Sequence, residues 1–581
     1  MQFVVKKIKK DTTGISVVNW EETANLNDGF FSYKCLKKQV KQFSNNDETF
    51  FILGDLIPEP GQNIDFEFLK NSIENNVIHK QPGIFYLIYI HGKTGEIKVF
   101  SNLFHLLPIY FYQNNNEIVI SGCPDEIIRL TDKEKFAIDK QYILERLFFN
   151  YGLFEKTYFK GIELVKANHY IQVTDRIKQS EQFRLRDLFT RNPKRGKNTL
   201  AGISQLFVDR LKTYLPEEKY ALSFTGGFDG RTLLAVSLYL NKDFFTYAFG
   251  SGVSPDLLIP ISQAKKLNIE FDPIILDEQY AENHAYSKGI ELIEKSCGKA
   301  SFSRAHYVYA ANILSEKTNI MITGNFGSEL FRAMHNPGVM ISQELIDVFS
   351  LQDETEWIEK LKNSPKWEYL NQDVDFSPAF DQLVSDIISF KEKTKQHTTN
   401  EAFYIFVLNE VFRKYFGPEI QMQQHYLVNR APFIDFQFIE ELFKTHYCGV
   451  YSDFFTHNPV KRFKGQLLYA HILKTANSPL LQMPTGKGYR PSSLLTHWGK
   501  VQLAANLIRK KLKKGNAEAD DFMVTRSFLH HKEKWSNTPI CNEIYNENFI
   551  RKKLDNAAKA DNLLINVVSS NLYLSNLLKN G

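Results

Sequence analysis

The stretch YALSFTGGFDGRTLLAV, residues Tyr220–Val236, decides the reading of this chain. A short apolar run enters two adjacent glycines, passes an aspartate and leaves with helical spacing. That is a strand-turn-helix pattern, and in a parallel sheet such a turn lies at the carboxyl edge where ligands are taken. Gly226 and Gly227 let backbone N–H groups converge on an anion, and the following helix adds the positive end of its dipole. An acid inside an anion loop needs a cation between the two, so Asp229 reads as a Mg²⁺ ligand with phosphates completing the sphere. Arg231 reads as a bidentate phosphate contact. The same residues also fit a plain tight turn with Asp229 as an N-cap. No Lys-Ser or Lys-Thr follows the glycines and the spacing is not G-x-G-x-x-G, so neither the Walker loop nor the dinucleotide fingerprint applies.

Outward from this turn, strands alternate with helices: FFTYAFGS, then PDLLIPISQAKKLN, then FDPIIL, and later NIMITGN before GSELFRAM. Alternation of this kind indicates a parallel sheet with crossover helices. Upstream, residues 1 to about 180 carry β-branched and aromatic runs such as TFFILGDLI, GIFYLIYIHG and EIVISG, bounded by the hairpin-like loops HGKTGE and QNNNE. LKNSIENNV and PDEIIRL read as short helices among them. The polar stretch Leu188–Thr199, LFTRNPKRGKNT, reads as a linker. Beyond about residue 340 the pattern is mostly helical, and the last 80 residues read as wholly helical.

The 581 residues are too many for one ordinary domain. Hydrophobic residues at 43% and charged residues at 24% mark a globular chain. A formal net charge of +5 from 71 basic and 66 acidic side chains does not imply nucleic acid. The five cysteines (Cys35, Cys123, Cys297, Cys448, Cys541) are scattered without a C-x-x-C pair, which argues against a zinc or dithiol centre and for buried thiols in a reducing compartment. MQFVVKKIKK lacks the apolar segment of a signal peptide, and the run GIFYLIYI is far shorter than a membrane span. A cytoplasmic protein without a membrane partner is expected.

The loop LSFTGGFDGRTLLA resembles the pyrophosphate loop of the ATP pyrophosphatase superfamily, whose pattern is Ser-Gly-Gly-x-Asp-Ser. Within it the chain most resembles the asparagine synthetase family, including β-lactam synthetases and lasso-peptide cyclases. TYAFGSGVSPDLLIPISQAKKLNIEFDPIIL, with Asp256 and Ala264, is similar to the family's second strand and the helix after it. ITGNFGSELFRA resembles its Gly-x-Gly-Gly-Asp-Glu-Leu-Phe loop, and NRAPFIDFQFIEELF its Arg-x-Pro-Phe-Leu-Asp segment, giving Arg430, Pro432, Phe433 and Asp435. KGQLLYAHI and LLQMPTGKGYRP resemble the lysine-bearing region. Earlier in the chain, the segment from PGIFYLIYIHG to PDEIIRL resembles a class II glutamine amidotransferase domain.

The resemblance implies a fold and a division of the chain. An α+β four-layer sandwich of Ntn type would fill 1–187, degenerate in activity, with a linker over 188–199. An α/β parallel-sheet ATP-binding domain would fill 200–500 and a helical extension 501–581. It also implies chemistry: ATP activates a carboxylate as an acyl-adenylate, pyrophosphate leaves, and an amine displaces AMP to form an amide. Leu222, Ser223, Thr225, Gly226, Gly227, Phe228, Asp229, Gly230, Arg231, Phe249 and Gly324 would bind ATP, and Asp229 would hold Mg²⁺. Lys487 best matches the family's catalytic lysine, Lys464 is the second candidate, and Glu329, retained beside Ser328, is the third catalytic candidate. The implied partners are a small-molecule or peptide carboxylate and an amine; a partner protein or a homodimer is left open.

Several positions depart from the family. Residue 2, where the amidotransferase nucleophile would stand, is Gln2, and an amide cannot attack a carbonyl, so no glutaminase activity is expected. Thr225 replaces the first loop serine and keeps its hydroxyl; Gly230 replaces the second and loses it. Ser328 stands where the family has a second metal-binding aspartate, and Val428 where a glutamate is usual. Gly230 and Ser328 favour the other reading, a catalytically degenerate homologue acting as a binding or scaffold protein, and the intact Gly226, Gly227, Asp229 and Lys487 argue against it. From Gly486 to Gly515 there are eight basic residues and no acid (Lys487, Arg490, Lys500, Arg509, Lys510, Lys511, Lys513, Lys514), which fits either docking of an acidic substrate or a solvated helix face.

Overall fold

The computed structural model describes residues 1–8, 22–26, 28–131, 136–332, 337–451, 459–499, 501, 503, 519–557 and 561–579. Among them the chain first lays down β1 Gln2–Ile8, β2 Glu22–Leu26, β3 Gly29–Lys34, β4 Val40–Asn45, β5 Glu48–Leu56, β6 Gly83–His91, β7 Ile97–Ser101, β8 Tyr110–Gln113, β9 Glu117–Ser121, β10 Glu163–Leu164, β11 His169–Val173 and β12 Ile177–Glu181. They form two antiparallel sheets, ordered β10-β8-β9-β1-β3-β2 and β12-β11-β7-β6-β5-β4.

The continuous apolar run of β6 is explained by burial on both of its faces. Successive strand residues point to opposite sides. Ile84, Tyr86 and Ile88 enter the core between the two sheets, while Phe85 and Leu87 join Phe50 and Ile52 of β5 in a second core. Across the first core Phe31 lies 4.7 Å from Phe51 and Phe3 lies 4.8 Å from Tyr86, ring centre to ring centre. The helix Phe66–Glu74 closes the second core with Leu69.

The chain then builds β13 Tyr220–Ser223, β14 Phe244–Gly250, β15 Phe271–Ile275, β16 Ile320–Ile322 and β17 Val428–Arg430. They form a parallel sheet ordered β15-β14-β13-β16-β17. The molecule is thus α/β, with two antiparallel sheets, one parallel sheet and many helices. From the central β13 the chain steps outward to β14 and β15, then returns on the other side at β16. The order reverses between β13 and β16, and their carboxyl ends flank the crevice such sheets offer to ligands.

The two parts are bolted together by charge. Arg210, on the helix Lys197–Tyr214, forks to both Glu59 oxygens at 2.7 Å and to Asp435 at 2.7 and 2.9 Å. Arg430 donates from Nε to Asp55 at 2.7 Å. Arg430 and Asp435, the charged residues of the Arg-x-Pro-Phe-x-Asp segment, therefore tie the parallel sheet's surroundings to the segment following β5 and to β5 itself. The stretch read as a linker is pinned too: Lys194 N donates to Lys444 O, and His446 N to Lys194 O, both at 2.9 Å.

The C-terminal helices pack into the body. On the helix Asn562–Lys579, Ser569 Oγ accepts from Phe302 N, Ser570 Oγ accepts from Arg146 Nε and Tyr158 Oη, all at 3.0 Å, and Tyr573 donates to Asp125. The expectation of a wholly helical end fails at Tyr545, which forms an isolated antiparallel bridge to Leu370. Most of the basic segment (Lys500, Arg509, Lys510, Lys511, Lys513, Lys514) lies outside the described residues. Among the described residues no helix is long and apolar enough to cross a membrane.

Candidate functional site

The β13 turn brings the loop to the crevice. Gly226 is buried, Gly227 is exposed, and Gly227 N donates to Thr225 Oγ1 at 3.3 Å. The helix Asp229–Tyr239 follows at once. Ser223, Thr225, Asp229, Gly230, Phe249 and Gly324 line one cavity of about 190 Å³. That is smaller than the roughly 300–1,000 Å³ of ordinary ligand sites, so a nucleotide would have to extend over the exposed glycine. The cavity also contains Asn325, whose Nδ2 is buried without a hydrogen-bond partner and is therefore free to meet an acceptor.

Asp229 sits in a cradle. Its Oδ1 accepts from the Tyr469 hydroxyl and its Oδ2 from Ser328 Oγ at 2.8 Å. The cradle is tight: a Cβ on Gly327 would stand 2.6 Å from Asp229 Oδ1 and 2.8 Å from the Tyr469 hydroxyl. Arg332 donates to Ser328 Oγ. Although burial works against its charge, neighbouring Tyr469, Asp229 and Glu329 hold the Arg332 guanidinium above its ordinary value.

Glu329 belongs to this group. Burial first, and then the Asp229 carboxylate, push it up to about 7. A raised acid holds its proton in the folded state where the unfolded chain has lost it, so its contribution to stability falls between its ordinary 4.5 and about pH 7. Thermal melts of wild type and Glu329→Gln are accordingly expected to agree near pH 4 and diverge by pH 8, with the glutamine variant the more stable. Parallel melting curves across that range would contradict the placement of this carboxyl.

Arg231 differs from its expected role. It is fully buried, and its guanidinium donates to the carbonyls of Pro484 at 3.0 Å, Leu480 at 3.3 Å and Met483 at 3.4 Å. Burial pulls its pKa down to about 10, which still leaves it charged at neutral pH. Its partners are backbone oxygens and not a phosphate, and what it secures is the segment bearing Lys487. Gln263 joins it on Pro484 O at 2.6 Å. Gly486 N then donates to Gly226 O at 2.8 Å, and the turn from Thr485 to Tyr489 closes with Thr485 N on Tyr489 O at 2.9 Å. Lys487 is exposed on this turn, one residue from the contact with the glycine loop.

Other expected residues separate. Leu222 is fully buried and Phe228 nearly so, the latter stacked 5.4 Å from Tyr469, so these two can serve a ligand only through their backbones. Gly230 has no room for a side chain: a Cβ there would meet Ser223 O at 2.3 Å and Phe224 Cα at 3.1 Å. The missing hydroxyl is a consequence of close helix–strand packing. Lys464 lies near His446, which burial, then Lys464 and Arg195, hold down to about 4. Asp256 places Oδ1 3.2 Å from where a Gly226 Cβ would stand, so a second carboxylate faces the loop.

The resemblance implies Mg²⁺. Mg²⁺ is typically held by one or two carboxylates together with substrate phosphates and water. Here Asp229 offers its remaining lone pairs and Glu329 is close by, but no group of three His, Cys, Asp or Glu side chains gathers around Asp229 among the described residues. A magnesium ion would therefore have to be carried in on a polyphosphate, with Asp229 to hold it, while the Arg332 guanidinium on Ser328 stands where a second metal ligand is expected.

No family model matches this chain, and no curated protein matches it. Among solved structures it is similar to a glutamine phosphoribosylpyrophosphate amidotransferase from B. subtilis, complexed with ADP and GMP. The match covers 44% of this chain and 53% of the other, at 7% identity and a TM-score of 0.16. The chain thus spans about half the length of that protein, and a superposition this loose supports no functional argument.

Proposed function

We propose that the chain is an ATP-dependent, AMP-forming carbon–nitrogen ligase of the asparagine synthetase type, built as an Ntn-like sandwich followed by an ATP-binding domain with a helical extension. It would activate a small-molecule or peptide carboxylate, release pyrophosphate and pass the acyl group to an amine, acting in the cytoplasm. The observation that supports this most is the Gly226–Gly227 loop at the carboxyl edge of the central strand, with Asp229 cradled behind it and the Lys487 turn bonded onto Gly226.

Each residue then has a task. Gly227 N, on exchanging Thr225 Oγ1 for phosphate, and its neighbours would bind pyrophosphate oxygens through backbone donors. Asp229 would orient the metal that neutralises those oxygens, and Lys487 would bring a mobile positive charge to the α-phosphate. Arg231 is a positioning residue, acting through Pro484. Gln2 lies within β1, half-buried and paired with Lys34, and burial pushes the nearby Cys35 thiol up to about 11, which leaves it a poor nucleophile.

Substrate-dependent exchange of pyrophosphate into ATP, run against a panel of carboxylates, is the direct test. We expect exchange with at least one carboxylate, about a tenfold or greater loss in Lys487→Ala, and no glutamine hydrolysis. Ser328 with Arg332 at the expected second metal position favours one other reading, a nucleotide-binding homologue without turnover. Nucleotide binding by wild type with no exchange for any carboxylate would select it.

A further inference from the structure

Outside the crevice, three ligating side chains meet that the sequence keeps far apart. Cys123 follows β9 and opens the helix Pro124–Leu130, Asp125 lies in that helix, and Cys297 follows the helix Tyr286–Lys295. Their Sγ, carboxylate O and Sγ atoms all lie within 4.8 Å of one another. The absence of a C-x-x-C pair thus does not keep two thiols from converging. We infer that Cys123, Asp125 and Cys297 form a binding site for one thiophilic divalent cation of the zinc class, at the seam between the antiparallel sheets and the body carrying the parallel sheet.

Four observations support this, none of them dependent on the proposed ligase activity. The donor set suits the ion, because two thiolates and a carboxylate are ordinary zinc ligands while magnesium and calcium avoid sulfur. The spacing suits it as well: bonds of about 2.3 Å to sulfur in a tetrahedron put ligand atoms roughly 3.8 Å apart, inside the 4.8 Å within which these three atoms lie. Asp125 is already oriented, since one carboxylate oxygen accepts from Tyr573 and the other remains for a metal. Finally, a cavity of about 30 Å³, enough for one water, reaches Cys297 and Lys299, though neither Cys123 nor Asp125 lines it.

Charge balance explains the lysine. Burial pushes Asp125 up to about 6 and the Cys297 thiol well above its ordinary value, so an ion must displace protons to bind. On binding, two thiol protons and any carboxyl proton pass to solvent. A dication with two thiolates and one carboxylate then carries one net negative charge. Burial pulls the Lys299 ammonium below its ordinary value, while Cys297, Cys123 and Asp125 oppose that fall; donating to Gln421 at 3.2 Å, it offsets the negative charge.

Titration of the full, reduced chain with Co²⁺ tests the site by absorption. We expect one equivalent to give thiolate-to-cobalt charge-transfer and tetrahedral d–d bands, and Zn²⁺ to bleach them. Cys123→Ser and Cys297→Ser should abolish the bands, and Asp125→Asn should weaken binding at least tenfold, with circular dichroism confirming that each variant is folded. No bands from reduced wild type would overturn the site, as would bands that persist in folded Cys297→Ser. Intact-mass loss of two hydrogens with no bound metal, traced to a Cys123–Cys297 disulfide in the chain as isolated, would replace it with a thiol pair.

Discussion

Asp229→Asn is expected to lower carboxylate-dependent ATP–pyrophosphate exchange by about 10²- to 10³-fold, the range seen when one fixed electrostatic partner of a reacting centre is removed. The substitution keeps the shape and removes the charge. Tyr469 and Ser328 can still bond an amide, because hydroxyls turn to suit their partner. The melting temperature should therefore move little, and the loss should appear in exchange and in the dependence on Mg²⁺. Unchanged exchange in this variant would remove Asp229 from the chemistry and, with it, the main argument for the glycine loop as a pyrophosphate site.

Gly230→Ser restores the side chain usual in the resembled family, and it is expected to damage the protein. The new Cβ would stand 2.3 Å from Ser223 O, a backbone atom of the central strand that cannot swing aside. Overpacking of this kind costs about 1–3 kcal/mol, occasionally more. Gly230→Ala should be as harmful as Gly230→Ser, since the carbon and not the hydroxyl causes the clash. Melting temperatures and soluble yield measure this. A serine variant as stable as wild type, with faster exchange, would mean that the position opens toward phosphate after all.

How much of this was legible in the sequence depended on the range of the interaction. Gly226, Gly227 and Asp229 are read locally, because a strand, two glycines and a helix start are adjacent in the chain and their geometry follows from backbone freedom. The apolar runs of β5 and β6 were equally plain. Arg231 was misread because its position in the loop suggests phosphate, whereas its partners are carbonyls of Leu480, Met483 and Pro484, remote in sequence. Tyr469 was missed for the same reason, its partner Asp229 lying 240 residues earlier. Nothing in KGQLLYAHI distinguishes a core tyrosine from one that holds a carboxylate. β17 escaped notice because Val428–Arg430 is too short and polar to show a strand period, and only pairing with β16 defines it.

The helix Asn562–Lys579 has a consequence for how the protein is made. Its contacts reach Asp125, Arg146, Tyr158 and Phe302, all synthesised hundreds of residues earlier. During translation that surface must wait, with its hydroxyls and guanidinium wetted, until residues near 570 leave the ribosome. Completion of the fold is therefore a late event, and a nascent chain stalled before this helix would present an unfinished face to chaperones and proteases.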